Sequence, residues 1–121
     1  VLSPSVAREG LIGDFDLGAP SFTPNGDGVN DGLDLRYEIL TVVGQARITL
    51  EVFDLSGRRV LTLFDQEGGN GVYDATRFAE LGWDGRDAQG HPVPPGVYLV
   101  RLGVEGDARS STALRTVGVV Y

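Results

Sequence analysis

Along most of the chain apolar and polar residues alternate with the two-residue period of a strand that buries one face. The clearest run is Leu33-Asp34-Leu35-Arg36-Tyr37-Glu38-Ile39, which predicts Leu33, Leu35, Tyr37 and Ile39 on one side. Ala46 to Phe53 sets Ile48, Leu50 and Val52 against Arg47, Thr49 and Glu51. A turn at Asp54-Leu55-Ser56-Gly57 leads into Arg59-Val60-Leu61-Thr62-Leu63-Phe64, so the two runs predict a β-hairpin. Arg77 to Trp83 predicts a strand with Ala79, Leu81 and Trp83 inward, and Gly96 to Val104 and Arg109 to Tyr121 predict two more. Leu11 to Leu17 reads as a further strand, with Phe15 and Leu17 alternating against Asp14 and Asp16.

Turn chemistry separates these runs. Residues 65–71 (Asp-Gln-Glu-Gly-Gly-Asn-Gly) read as a loop, and Asp84 to Gly90 and Glu105-Gly106-Asp107 as turns. Pro92, Pro94 and Pro95 keep their segment extended and unpaired. No stretch sustains a 3.6-residue apolar period, so helix content is expected to be low. About seven short strands punctuated by glycine turns predict an all-β antiparallel sandwich.

The stretch Thr23-Pro24-Asn25-Gly26-Asp27-Gly28-Val29-Asn30-Asp31-Gly32-Leu33-Asp34 does more than turn the chain. Over the twelve places of an acidic calcium loop, Gly28 takes the sixth, where a glycine is needed. Thr23, Asn25, Asp27, Val29 (through its carbonyl), Asp31 and Asp34 then take the ligand places. Calcium wants six to eight oxygens in a flexible shell, which short oxygen-bearing side chains on a sharply turned backbone supply. Glycines 26, 28 and 32 permit that turning. The plain alternative is a pair of Asn-Gly and Asp-Gly turns with solvated carboxylates. Three aspartates and an asparagine at matching places favour calcium. Asp14 and Asp16 are candidates to complete the shell, and Asp84 and Asp87 a second, weaker cation pair.

Composition narrows the function classes. With 121 residues the chain is expected to be one domain, able to bury about 65–70% of its unfolded surface. It has no cysteine, which excludes disulfides, thiolate metal sites and a cysteine nucleophile. Net charge is −7 and all ten basic residues are arginine, a balance that repels nucleic acid and anionic membrane surfaces. It suits a calcium-rich medium outside the cell. No apolar run is long enough to span a bilayer. The chain opens at Val1 with no methionine anywhere, and is read as a processed segment. The single histidine, His91, lies in a turn between Gly90 and Pro92, and no serine is placed as its nucleophile. The reading is non-enzymatic.

Phe22-Thr23-Pro24-Asn25-Gly26-Asp27-Gly28-Val29-Asn30-Asp31 resembles the opening of bacterial cell-surface C-terminal modules, including gliding-motility-associated ones. Val52 to Val60, Trp83-Asp84-Gly85-Arg86-Asp87 and Val93-Pro94-Pro95-Gly96-Val97-Tyr98 resemble the Ig-like domain of the flagellar hook-capping protein family. The resemblance runs from about Ser21 to Tyr121 and implies an Ig-like two-sheet sandwich serving as a spacer, sorting or assembly module. The chain departs from the secretion-sorting versions in finishing Val119-Val120-Tyr121, without basic residues.

Two regions follow: an extension, residues 1–20, and a sandwich, residues 21–121. Because an open sheet edge accepts a strand from a neighbour, the extension is a candidate donated strand that would link copies head to tail into a filament. The expected function is an extracellular, calcium-stabilised structural module, assembling with neighbouring copies or carried by a parent surface protein. The alternative is adhesion to a glycan or protein through loops 65–76 and 105–112.

Overall fold

The computed structural model describes residues 10–26, 28, 31–107 and 109–121. Ten strands follow one another: β1 (Ile12–Asp16), β2 (Ser21–Phe22), β3 (Leu33–Asp34), β4 (Arg36–Ile39), β5 (Ala46–Asp54), β6 (Arg59–Gly68), β7 (Gly71–Tyr73), β8 (Gly82–Trp83), β9 (Gly96–Glu105) and β10 (Ser110–Val119). They form a five-stranded sheet in the order β2-β10-β9-β5-β6, a three-stranded sheet β1-β4-β7 and a two-stranded ribbon β3-β8. Only the β2–β10 pairing is parallel among the described residues. The protein is an all-β, Ig-like sandwich.

The alternating pattern explains which faces meet. Ile48, Leu50 and Val52 of β5 and Val100, Leu102 and Val104 of β9 are fully buried. Opposite them lie Tyr37 and Ile39 of β4 and Phe15 of β1. Phe64 of β6 crosses the gap and meets Tyr37 and Tyr73 edge-on, at 6.3 and 5.9 Å between ring centres. Tyr37 stacks on Tyr73 at 5.1 Å, and Tyr73 on Phe78 at 5.4 Å, so an aromatic column closes one side of the core.

Several expected boundaries move. The single strand expected over 33–39 changes partners at Leu35: Leu33 pairs with Trp83, whereas Tyr37 pairs with Phe15 and Tyr73. The side-chain alternation survives because Leu35 is buried too, and its N–H donates to the Leu81 carbonyl at 2.9 Å. Residues 65–68, expected as loop, extend β6, because β5 offers partners as far as Ala46 opposite Gly68. The Arg47 guanidinium grips the Asp65 carboxylate there with two hydrogen bonds, 3.0 and 2.9 Å. Tyr73 is buried in β7 rather than displayed on a loop, so residues 65–76 do not form the exposed binding loop. Residues 110–112 likewise belong to β10. The strand expected over Arg77 to Trp83 is a 3-10 turn at Ala79–Leu81 followed by β8. Ala79 is therefore exposed, while Leu81 and Trp83 point inward as expected.

The segment assigned to the extension is built into its own domain from Gly10 onward. Leu11, Ile12, Phe15 and Leu17 join the core, and β1 pairs with β4 of the same chain. These four find their buried partners without a neighbouring copy, and residues 1–9 of the extension lie outside the described residues.

Candidate functional site

The motif segments, far apart in sequence, meet at one end of the sandwich. Phe22 packs on Trp83 at 5.4 Å between ring centres, and Trp83 meets Tyr98 edge-on at 5.8 Å. The Trp83 indole N–H donates to the Arg86 carbonyl at 2.9 Å, which closes the Trp83-Asp84-Gly85-Arg86 turn. Gly85 has φ +79°, and a Cβ there would stand 2.8 Å from Pro24 Cγ, so only glycine allows the two motifs to touch. Val93 N–H donates to the Gly85 carbonyl at 2.9 Å, which ties in the proline segment. The Tyr98 hydroxyl donates to the Pro94 carbonyl, and the Tyr121 hydroxyl to the Val93 carbonyl at 2.7 Å. Asp84, Arg86, Pro95, Val97 and Tyr121 form an exposed rim around this buried triad of rings.

The loop expected to hold calcium leaves this cluster. Its Thr23 carbonyl accepts from Asn25 N–H at 2.8 Å, and Gly26 and Gly28 both have φ near +80° (81° and 83°). Asp31 folds back over it: one carboxylate oxygen accepts from Gly26 N–H at 2.9 Å and the other from Gly28 N–H at 2.6 Å. Asp34 sits on β3, opposite Gly82, and lines a shallow hollow with Asp16, Arg36 and Asp74. Asp27 and Val29 lie outside the described residues. Among the described residues no three carboxylates or histidines gather closely enough to hold a metal ion.

The remaining acidic candidates have local partners. Asp14 forms an ion pair with Arg36 at 2.7 Å, and Asp16 accepts from Gly18 N–H at 3.0 Å. Asp84 accepts from Arg86 N–H, and Asp87 from the N–H groups of Gln89 and His91. These are side-chain turns of the kind that aspartate favours. His91 is exposed on the same turn.

Three aspartates are held below the usual carboxylate range. The Ser56 hydroxyl, with Arg58 N–H, acts on Asp54; the Arg47 guanidinium acts on Asp65; His91 N–H, with Gln89 N–H, acts on Asp87. A depressed folded value means that each contribution is complete above the ordinary value of 3.8 and is lost as pH falls through the lower folded value. Thermal melting is therefore expected to be insensitive to these groups above about pH 5 and to fall in more acid solution. A midpoint that stayed flat through the acid range would contradict these carboxylate contacts.

The family model of the CHU_C type IX secretion signal domain matches residues 18–119. The chain belongs to this family. CHU_C membership agrees with the cell-surface module in the sequence resemblance, whereas the hook-capping family is not the one matched. Membership also places the protein among those exported to the cell surface or beyond, and describes a secretion signal rather than a catalyst.

Among solved structures, the PorU match shows a shared fold; a weaker match to PorZ stands beside it. The first is the crystal structure of dimeric latent PorU from Porphyromonas gingivalis, with TM-score 0.58 and 18% identity over 88% of this chain. The other is PorZ, described as an essential bacterial surface component of the type IX secretion system of the same organism, with TM-score 0.49 and 19% identity over 98% of this chain. The CHU_C chain spans only 9% of the PorU chain and 13% of the PorZ chain. No curated protein matches. No helix among the described residues is long and apolar enough to cross a membrane.

Proposed function

We propose that this CHU_C domain is a folded address on a larger surface protein, read by the type IX export machinery through the end where the motifs converge. The observation that carries the reading is the meeting of Phe22, Trp83 and Tyr98, with Tyr121 anchored beside them. A linear tag needs no such assembly; a shape made of segments up to a hundred residues apart does. The test is a reporter fused ahead of the domain in a bacterium with a type IX system. The fusion is expected at the cell surface or in the medium, and the reporter alone inside. Retention of both would end the proposal.

The same proposal includes calcium at Thr23, Asn25, Asp27, Val29, Asp31 and Asp34. Support comes from the order of donors along the sequence and from the two positive-φ glycines that curl the backbone between them. Calcium bound to the folded state alone stabilises it by about 2.7 kcal/mol at a hundredfold excess over Kd. A chelator is therefore expected to lower the melting midpoint, and excess calcium to restore it. An identical midpoint in both solutions would remove the ion and leave Asp31 as a plain loop cap.

Nothing comparable supports the filament. The strand it would donate is engaged in its own core. The edge strand β6 has two register irregularities and carries Arg59, Asp65 and Glu67, features that discourage edge pairing.

A further inference from the structure

Residues 11–22 and 111–120 run side by side in the same direction, coupled at a nearly constant offset. Leu11 N–H donates to Ser111 Oγ at 3.0 Å. Arg115 Nε–H donates to the Phe15 carbonyl at 3.3 Å, and its guanidinium lies 5.1 Å from the centre of the Phe15 ring. Gly118 N–H donates to the Pro20 carbonyl at 2.9 Å, and Val120 N–H to the Phe22 carbonyl at 3.1 Å. Between these last two, β2 pairs in parallel with β10.

The direction of this pairing decides how the fold carries load. The chain comes in at Leu11, beside the start of β10, and goes out past the end of β10 at Tyr121. Ten extended residues separate the two ends of that strand, a distance of about 33 Å at the rise of a strand residue. A pull along this line drives two neighbouring parallel segments in opposite directions. Their couplings are then loaded in shear and must fail together. A pull at one end alone opens bonds in turn, like a zip. The downstream end is fixed further by the Tyr121 hydroxyl on Val93, and β10 is paired with β9 along its whole length.

We infer that the domain is a load-bearing link, which keeps its fold when a protein attached upstream is pulled against whatever grips its downstream end. This property does not depend on how the export machinery reads the domain.

Because the chain has no cysteine, attachment points can be placed at will. In constant-force spectroscopy, one preparation carries cysteines added outside residues 1 and 121. A second carries Ser56→Cys with the downstream cysteine. Ser56 lies in the β5–β6 turn, at the same end as Tyr121, because Asp54 pairs with Tyr98 near the start of β9. At equal force the end-to-end preparation is expected to unfold at least about tenfold more slowly, since several hydrogen bonds must fail at once. Val120→Pro removes one N–H donor at an exposed position just past the end of β10, and is expected to raise the end-to-end unfolding rate about fivefold, with a fall of only a few degrees in melting temperature. Equal rates in the two pulling geometries would overturn the inference, whether or not the proline variant folds.

Discussion

Trp83→Ala is expected to cost about 3–5 kcal/mol, enough to remove much of the stability of a domain of this size. The side chain is 1% exposed and is the largest fully buried one in the described structure. Truncation opens a cavity between Phe22 and Tyr98 and takes away the indole donor from the Arg86 carbonyl. The rings around it are fixed by β10, β9 and the proline segment, so the cavity has little freedom to collapse. Denaturant unfolding checks this, read at the midpoint with the slope unchanged. A cost under about 1 kcal/mol would mean that the motif segments do not pack as described.

Tyr37→Phe is expected to act in the opposite direction. Tyr37 is 0% exposed, and its hydroxyl is the one buried side-chain polar atom among the described residues with no hydrogen-bond partner. Burial also drives its pKa upward, so it stays neutral at every ordinary pH. An unsatisfied buried hydroxyl costs about 1–3 kcal/mol, and phenylalanine keeps the stacking on Tyr73 while removing that cost. A higher unfolding midpoint is the expected result. A lower one would show that the hydroxyl is satisfied, by a buried water for example.

Much of the fold was legible because period-two alternation directly reports one buried face. Leu33, Leu35, Tyr37 and Ile39 are all buried as the pattern requires, and the hairpin turn at Asp54 forms with Asp54 capping Ser56 and Arg58. What alternation does not report is the partner. The change of sheet at Leu35 leaves the pattern intact, so alternation predicts one strand where two exist. Glycine and acid composition suggested a loop at 65–68, but a bidentate Arg47–Asp65 pair and an unused stretch of β5 turn the same residues into strand. Phe78 carried a weak signal: it falls out of phase with Ala79, Leu81 and Trp83, and it is Phe78 that stacks on Tyr73.

The site was legible in pieces only. Each motif could be recognised singly, yet nothing in the spacing of Pro24 and Gly85 announces that they touch. Position along the loop marks Asp31 as a ligand, but its two backbone partners depend on how the loop folds. The resemblance begins near Ser21 and so leaves out β1, although the apolar residues of β1 themselves call for a core.

The address reading is tested most directly by altering the two ends of the sandwich separately in an exported reporter fusion. Asp84→Ala with Arg86→Ala changes the exposed rim where the motifs meet, and Val43→Asp changes the opposite end, where Val43 is 88% exposed. With both variants shown to melt like the parent, export is expected to fail for the first and persist for the second. Equal export of the two, or loss only on changing Val43, would contradict the account.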